Sequence, residues 1–339
     1  ILDTPGYSDF TGEVLSSLRV ADIAVVLLKA VEGTEVGTEI VWNYTKNYQT
    51  PTVIVVNKLD NENAEFDKSF GSAKTRFGND VTIIQFPAKE GLAFDSVVDV
   101  LKMKMLVYNR DGSGKFTESD IPAEHKERAE ALHEELIEKI AETDEDLMNK
   151  FFEDGTLHDA DLQKGLKLAL NAQKIFPVFC TAAGSNIGLG SVLSFLVQFG
   201  PSPLDRGPVA AMDIQKKLQL QVATDPAAQP SLFAFKTVSE QHVGELSFFR
   251  VYSGTVTPGL DLTNISNGKS ERLGQIFVMN GRERRAVARL FAGDIGAVVK
   301  LKDTHTNNTL SSKGFSVTYP AIQFPEPVIR MAIAAKSKG

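Results

Sequence analysis

Apolar residues in the first part of the chain recur in short runs that predict buried strands. The runs at 23–28 and 52–56 are rich in β-branched residues and predict strands buried on both faces, and the stretch at 35–46 between them predicts a helix. A third run, at 175–180, predicts another strand of the same kind. This alternation of strands and helices predicts an α/β fold with a mostly parallel sheet.

A long interval separates the second and third predicted strands and indicates an inserted α+β subdomain at about residues 88–172. Strand-like pieces occur at 81–106, and Asp111-Gly112-Ser113-Gly114 predicts a turn. Apolar residues at helical spacing over 124–142 predict an amphipathic helix. Two interpretations of its charged face stay open, a solvated surface and a docking surface for a partner.

The pattern changes after residue 200. A helix over 192–199 is predicted to end before a linker rich in proline and glycine. From about residue 230 the chain predicts short strands, at 231–237, 246–252 and 297–301. Turn signals separate them, at Pro258-Gly259, Asn267-Gly268 and Asn280-Gly281. Because Asn-Gly between strands is a strong hairpin signal, we predict an all-β unit that forms a small closed barrel.

Composition narrows the class of protein. The 339 residues include 36 basic and 43 acidic ones, a net charge of −7, so nucleic acid would have to be met by a local basic patch. A single cysteine, Cys180, and the lack of an apolar run of about 18 residues favour a cytoplasmic protein without a membrane segment. Ile1 is neither an initiator methionine nor part of a signal peptide, so we expect a preceding segment.

The histidines lack metal-ligand spacing and are predicted to be surface or structural residues: His125, His133, His158, His242 and His305.

Asn57-Lys58-Leu59-Asp60 follows directly on the second predicted strand, where open α/β sheets bind their ligands. A carboxylate can accept hydrogen bonds from the two adjacent N–H donors of guanine, and adenine does not present this pair. We therefore predict that Asp60 selects guanine and that Asn57 braces the loop and reaches N7. The methylene stem of Lys58 is predicted to lie over the base.

Asp3-Thr4-Pro5-Gly6 follows Ile1-Leu2, which we interpret as the end of another buried strand. Asp3 is predicted to hold Mg²⁺ through water or directly, since phosphate-bound magnesium keeps several waters. Gly6 has no Cβ, so its backbone N–H could approach a terminal phosphate closely. On its own this motif is equally a turn, and its order before the Asn-Lys-Leu-Asp motif favours the phosphate site.

The two motifs resemble those of the translational GTPases. The run from Asp3 to Phe10 resembles the second switch of that family, and the run from Asn57 to Asp60 resembles its guanine motif, with elongation factor G the most similar member. Further resemblance to elongation factor G occurs along the chain, at 97–99, 121–123, 144–148, 174–178, 201–205, 250–254, 292–298 and 325–329.

The resemblance implies a domain organisation and a set of ligands. A GTP-binding domain at 1–205 would lack its phosphate loop and first switch, a β-barrel domain would follow at 206–325, and a third domain would begin at 326–339. The implied cofactors are GTP or GDP and Mg²⁺, and the implied partner is the ribosome, both its RNA and its proteins. The implied reaction is ribosome-stimulated GTP hydrolysis that promotes translocation. We expect a monomer, and weak nucleotide binding by this chain without a phosphate loop.

Two positions depart from the family pattern. Ala182 and Ala183 correspond to the second base-contacting loop, where serine-alanine is usual and a backbone N–H contacts the guanine oxygen. A plain strand-to-helix loop is the alternative there. Tyr7 replaces the usual histidine that positions the attacking water. Because a tyrosine hydroxyl stays neutral at pH 7 and cannot act as an imidazole, Tyr7 either orients water by a hydrogen bond or packs in the loop.

Two alternative functions stay open, and Tyr7 is the reason for the second. One is a ribosomal protection or release factor of the same family, and another is a hydrolysis-impaired module that only binds the ribosome.

A basic cluster in the predicted barrel could contact ribosomal RNA or form an ordinary solvated rim: Lys269, Arg272, Arg282, Arg284, Arg285 and Arg289.

Overall fold

The computed structural model describes residues 1–240, 244–327, 329 and 331–334, and the chain divides into two compact units. One unit is Val20–Val209, and the other combines Ile1–Arg19 with Ala210–Gly339. The division at 209/210 lies close to the predicted boundary at 205/206, but the first 19 residues group with the second unit. His242 and Val328 lie outside the described residues, as does part of the predicted third-domain segment at 326–339.

Helices occur mainly in the first of these units. In chain order the α-helices are α1 (Thr11–Leu18), α2 (Val36–Asn47), α3 (Phe66–Phe77), α4 (Ala123–Ala141), α5 (Glu145–Asp154), α6 (Asp159–Asn171) and α7 (Leu189–Phe199). Short 3₁₀ helices lie at Ser8–Phe10, Gly91–Ala93 and Ala183–Ser185.

Strands of the Val20–Val209 unit are β1 (Ala24–Lys29), β2 (Thr52–Asn57), β3 (Val81–Ile83), β4 (Gln85–Pro87), β5 (Ser96–Asp99), β6 (Lys104–Tyr108), β7 (Phe116–Ser119) and β8 (Phe176–Cys180), followed at the division by β9 (Val209–Asp213). Those of the other unit continue with β10 (Leu218–Val222), β11 (Ser231–Glu240), β12 (Gly244–Ser253), β13 (Thr255–Val256), β14 (Asp261–Asn264), β15 (Ser270–Arg272), β16 (Ile276–Asn280), β17 (Glu283–Val287), β18 (Leu290–Phe291), β19 (Ile295–Val299), β20 (Thr309–Ser311) and β21 (Val317–Thr318).

The Val20–Val209 unit is built on a parallel sheet with the order β1-β2-β8-β3, as the sequence predicts. Strands β2 and β8 are buried along their lengths, apart from the partly exposed Asn57. Trp42 of α2 anchors the core beside this sheet, because its ring stacks on Phe77 at 4.2 Å and meets the edge of Phe176 at 4.6 Å.

Strand β1 differs from the prediction of a strand buried on both faces. Its residues alternate between buried and exposed, with Val25 and Leu27 on the exposed face. The physical reason is its place in the sheet. Helix α2 packs against β1, and β1 is at one end of the hydrogen-bonded order. Only the covered face therefore requires burial.

The inserted subdomain lies between β3 and β8 and shares its hydrophobic core with the parallel sheet. It contains the antiparallel sheet β4-β5-β6-β7 and the helices α4 to α6. Helix α4 matches the predicted amphipathic helix and buries Leu136 and Ile140. Gly165 of α6 permits close packing there, since an added Cβ would lie 2.5 Å from a methyl group of Ile140.

From residue 210 onward the second unit is antiparallel and rich in β-structure, as the sequence predicts, and closure into a barrel stays a prediction. Its largest sheet has the order β15-β14-β20-β11-β12-β19-β16-β17, so β15 and β17 are its two ends. Hairpins form at Asn267-Gly268 and Asn280-Gly281, where Gly268 and Gly281 have φ of 75° and 58°. Pro258-Gly259 is a turn but not a hairpin, because β13 before it pairs with β18. Strand β19 ends at Val299, before the predicted end at 301, because Lys300 has a left-handed φ of 61°.

Ile1 and Leu2 do not form the buried strand that we expected before Asp3. Residues 1–6 contain no strand, and both apolar side chains are exposed, Leu2 to 39%. Two residues provide too few backbone hydrogen bonds and too little apolar surface to hold a strand against solvent.

The turn after α7 is stabilised by one carboxylate. Oδ2 of Asp205 accepts hydrogen bonds from the backbone N–H of Ser202 at 2.7 Å and from its hydroxyl at 2.6 Å. The ammonium of Lys167 lies 2.9 Å from the same oxygen. The Ser202 hydrogen bonds and the Lys167 charge lower the pKa of Asp205 to about 2.

We predict that Asp205→Asn destabilises the protein at neutral pH by about 1 kcal/mol, since solvent screens this partly exposed group. A depressed folded-state pKa stabilises the fold above the unfolded pKa near 3.9 and loses this contribution as pH falls towards about 2. Denaturant unfolding at pH 7, 4 and 2 should therefore show that the difference in unfolding free energy between the unaltered protein and Asp205→Asn becomes smaller as the pH falls. Glu153→Gln, at an exposed position of α5, is the control. A difference that persists undiminished at pH 2 would contradict this account.

Candidate nucleotide-binding site

The carboxyl ends of β2 and β8 lie side by side and bring two loops together. Val56 pairs with Cys180 in the parallel register, and the N–H of Thr181 donates to the carbonyl of Val56 at 2.9 Å. The loop after β2 carries Asn57 to Asp60, and the loop after β8 carries Ala182 and Ala183. Five of the predicted site residues therefore occur at one edge of the sheet: Asn57, Lys58, Asp60, Ala182 and Ala183.

Asn57 connects the two loops through its side chain. Its Oδ1 accepts hydrogen bonds from the hydroxyl of Thr181 at 3.1 Å and from the backbone N–H of Ala183 at 3.0 Å. Its backbone carbonyl accepts from the N–H of Ala30 at 2.9 Å. Asn57 thus holds the ends of three neighbouring strands in place, and its contact with N7 of a base stays a prediction.

Asp60 is partly buried and accepts a hydrogen bond from Ser185. The Ser185 hydroxyl lies 2.6 Å from Oδ2 of Asp60. Across the described residues, Asp60 makes no second side-chain hydrogen bond. A carboxylate has about four acceptor positions, so the group retains capacity for two further donors. This capacity fits the paired N–H donors of a guanine ring.

Lys58 and Leu59 fix the course of the first loop. Lys58 has a left-handed φ of 63° and an exposed side chain. Leu59 is fully buried, and its N–H donates to the carbonyl of Thr181 at 3.2 Å. The carbonyl of Leu59 accepts from the N–H of Gly91 at 2.9 Å. Buried Leu59 therefore anchors the loop while the stem of Lys58 remains in solvent, available to cover a base.

The backbone N–H groups of Ala182 and Ala183, which are predicted to contact the base, donate to acceptors within the protein. The N–H of Ala182 donates to the carbonyl of Ile187 at 3.0 Å, and the N–H of Ala183 is occupied by Asn57. In the described part of the chain, the N–H of Gly184 has no protein acceptor. A guanine oxygen would therefore meet Gly184 directly, or meet Ala183 only after that N–H leaves Asn57.

Gly188 is required where the second loop closes against β8. Its φ is 81°, and an added Cβ would lie 2.2 Å from the carbonyl oxygen of Cys180. Asn186 precedes it with a left-handed φ of 56° and donates from its amide to the carbonyl of Gly112 at 3.2 Å. The turn predicted at residues 111–114 thus contacts the loop after β8.

Asp3, Gly6 and Tyr7 belong to the other compact unit. All three are exposed, Tyr7 to 80%, and the carbonyl of Tyr7 accepts from the N–H of Phe10 at 3.0 Å. An added Cβ at Gly6 meets nothing within 4 Å. No cluster of three metal-ligating side chains is found in the part of the chain that the structure describes. Asp3 therefore fits Mg²⁺ only as a lone carboxylate with water and phosphate oxygens as the other ligands.

The basic cluster is partly neutralised by acidic neighbours. Lys269 forms an ion pair with Asp303, and Arg272 lies 3.8 Å from Asp261. Arg282 and Arg285 are exposed on the β16–β17 hairpin. Arg282 and Arg285 therefore present positive charge suited to a phosphate backbone.

Comparison with known proteins decides the family. Residues 1–202 match the elongation factor Tu GTP binding domain, and residues 229–313 match elongation factor G domain 2. The chain belongs to the translational GTPases. A crystal structure of a Thermus thermophilus protein is similar over 96% of this chain, with 26% identity and a TM-score of 0.81. This translational GTPase chain spans about half, 46%, of the length of that solved chain.

Within this translational GTPase chain, no helix of the described residues is long and apolar enough to span a membrane.

Sequence reasoning missed Ser185 and Thr181, whose hydroxyls contact the two predicted base-reading side chains. The hydroxyls lie more than a hundred positions along the chain from those side chains, at separations of 124 and 125. The sequence feature that could have indicated Ser185 and Thr181 is the presence of hydroxyl residues in the loop that follows a buried strand.

We predict that Gly188→Ala destabilises the protein by about 2 kcal/mol or more, since both a left-handed φ and a backbone clash oppose a side chain there. The affected contact holds the second loop against β8, so amide hydrogen exchange should rise in residues 181–188. Thermal unfolding and exchange measure the two effects. Gly190→Ala serves as the matched substitution, because Gly190 lies in α7 with open space around its Cα. Equal stability of the two variants would contradict the assignment.

Proposed function

We propose that this protein binds GTP and hydrolyses it on the ribosome, as an elongation factor G-like GTPase that promotes translocation in the cytoplasm. The observation that carries the proposal is the pairing of Asp60 with Ser185 and of Asn57 with Ala183 at the carboxyl ends of β2 and β8. Both family matches agree with it.

Guanine recognition follows from the acceptors that this edge of the sheet presents. Oδ1 and the remaining lone pair of Oδ2 in Asp60 accept the two ring-edge N–H groups of guanine. Adenine would leave the acceptor positions of Asp60 that Ser185 does not fill without donors in a partly buried site, which is unfavourable by several kcal/mol. Asn57 supports both loops, and the stem of Lys58 covers the base.

The remaining assignments concern the phosphates and the partner. Asp3 would hold Mg²⁺, which neutralises phosphate charge, and the N–H of Gly6 would contact the terminal phosphate. Tyr7 would lie beside the attacking water. Exposed Arg282 and Arg285 of the β16–β17 hairpin support contact with ribosomal RNA.

We predict that Asp60→Asn in the full-length protein reverses the base preference. The amide replaces an acceptor by a donor, which suits the 2-oxo group of xanthine and not the 2-amino group of guanine. GDP affinity should fall about 100-fold, or about 2.7 kcal/mol, while affinity for xanthosine diphosphate rises. Fluorescent nucleotide titration measures both constants.

Glu62→Gln removes a nearby exposed carboxylate and should leave both constants unchanged. If Asp60→Asn kept the guanine preference, the proposed base contact would be wrong. If the unaltered full-length protein held ATP as readily as GTP, the proposed function would fail.

We predict that Tyr7→His increases single-turnover GTP hydrolysis on the ribosome by about 10-fold or more, because imidazole can take part in proton transfer near pH 7. Tyr7→Phe separates the two roles that Tyr7 could have. Slower hydrolysis by Tyr7→Phe indicates a water held by the hydroxyl, and an unchanged rate indicates packing alone. No gain from Tyr7→His would contradict the assignment of this position to the attacking water.

GTP turnover with and without ribosomes, together with a translocation assay, distinguishes the other functions that the chain could serve. A hydrolysis-impaired binding module would bind ribosomes without an increase in GTP turnover. A protection or release factor would show ribosome-stimulated turnover without translocation of the messenger.

A further inference from the structure

The hydrogen bond between Ser185 and Asp60 is short, and both residues are partly buried. The donor is the neutral hydroxyl of Ser185 and the acceptor is Oδ2 of Asp60, at 2.6 Å. A hydrogen bond to a charged acceptor at this length is stronger than one between neutral groups. It is the side-chain contact that determines where the carboxylate points.

The hydroxyl of Ser185 is held in place by its backbone. Ser185 ends the 3₁₀ helix Ala183–Ser185, and its N–H donates to the carbonyl of Ala182 at 3.1 Å. On the other side, Asn186 is tied to Gly112 and Gly188 closes the loop against Cys180. The donor is therefore positioned before any ligand arrives.

The two hydroxyls of this loop have different acceptors. Thr181 donates to Asn57, and Ser185 donates to Asp60. Ala182 and Ala183 between them provide no side-chain donor. Within the described residues, Ser185 is thus the side chain that orients the base-reading carboxylate.

The orientation matters because the terminal torsion of an aspartate is soft. Rotation about χ2 has a broad energy profile, so an unrestrained carboxylate samples many planes. A ligand with two adjacent donors requires one plane, whereas a ligand with a single donor accepts many. Restraint of the plane therefore favours the two-donor ligand selectively.

We propose that Ser185 is a specificity-determining positioning residue, which sets the plane of Asp60 so that a base with two adjacent N–H donors is preferred over a base with one. This inference rests on the proposed guanine site. Guanine has the ring N–H and the 2-amino group, and hypoxanthine has the ring N–H alone. Ser185 thus acts on the discrimination between these two bases.

The test compares GDP and inosine diphosphate binding by the full-length protein and by Ser185→Ala. Loss of the hydroxyl should weaken GDP binding about 10-fold, or about 1.4 kcal/mol, and inosine diphosphate binding only about 2-fold. The dissociation constant for inosine diphosphate divided by that for GDP should therefore fall about 5-fold. Ser185→Thr keeps a hydroxyl and should restore most of the ratio. Ser194→Ala, at an exposed position of α7, should leave both constants unchanged.

The outcomes separate this inference from the proposed function. If Ser185 only stabilised the loop, Ser185→Ala would weaken GDP and inosine diphosphate binding equally, and the inference would be overturned while the guanine site stood. A full-length protein without preference for GDP over ADP would overturn the proposed function itself. Thermal unfolding of each variant shows whether it is folded. If Ser185→Ala does not fold, Ser185→Cys replaces the hydroxyl by a weakly donating thiol of similar size and should lower the ratio in the same direction.

Discussion

Parallel pairing of β2 with β8 is the interaction on which the candidate site depends. The register places Val56 opposite Cys180, so the chain leaves both strands at the same height and in the same direction. Asn57 and Asp60 then reach Ala183 and Ser185 across a gap of one strand spacing. A shift of this register by two residues would move the hydroxyl of Ser185 beyond hydrogen-bond distance of Asp60.

Backbone conformation gives the two loops their shape before a ligand is bound. Lys58 and Asn186 both have left-handed φ angles, which are unfavourable for lysine and tolerated by asparagine. The surrounding contacts hold them there, through buried Leu59 in the first loop and Gly188 in the second. Strain of this kind is consistent with a preorganised binding edge.

The inserted subdomain contacts the loops after β2 and β8 as well as the core. Gly91 donates to the carbonyl of Leu59, and Asn186 donates to the carbonyl of Gly112. Buried residues of α4 and α6 belong to the same apolar cluster as β2 and β8. Because close-packed interiors transmit strain, displacement of the insertion would shift the loops after β2 and β8.

Local sequence patterns predicted the type and the approximate ends of the elements that frame the candidate site and of several strands in the β-rich part of the chain. β-branched runs and helical spacing predicted β1, β2, β8, α2, α4 and α7, and Asn-Gly pairs predicted the two hairpins, because these signals are local. The one-sided burial of β1 depends on its neighbours in the sheet, which local patterns do not encode. The tertiary structure alone decided which donors meet which acceptors. Ser185 and Asp60 are 125 positions apart, and only the side-by-side placement of two strand ends makes them partners.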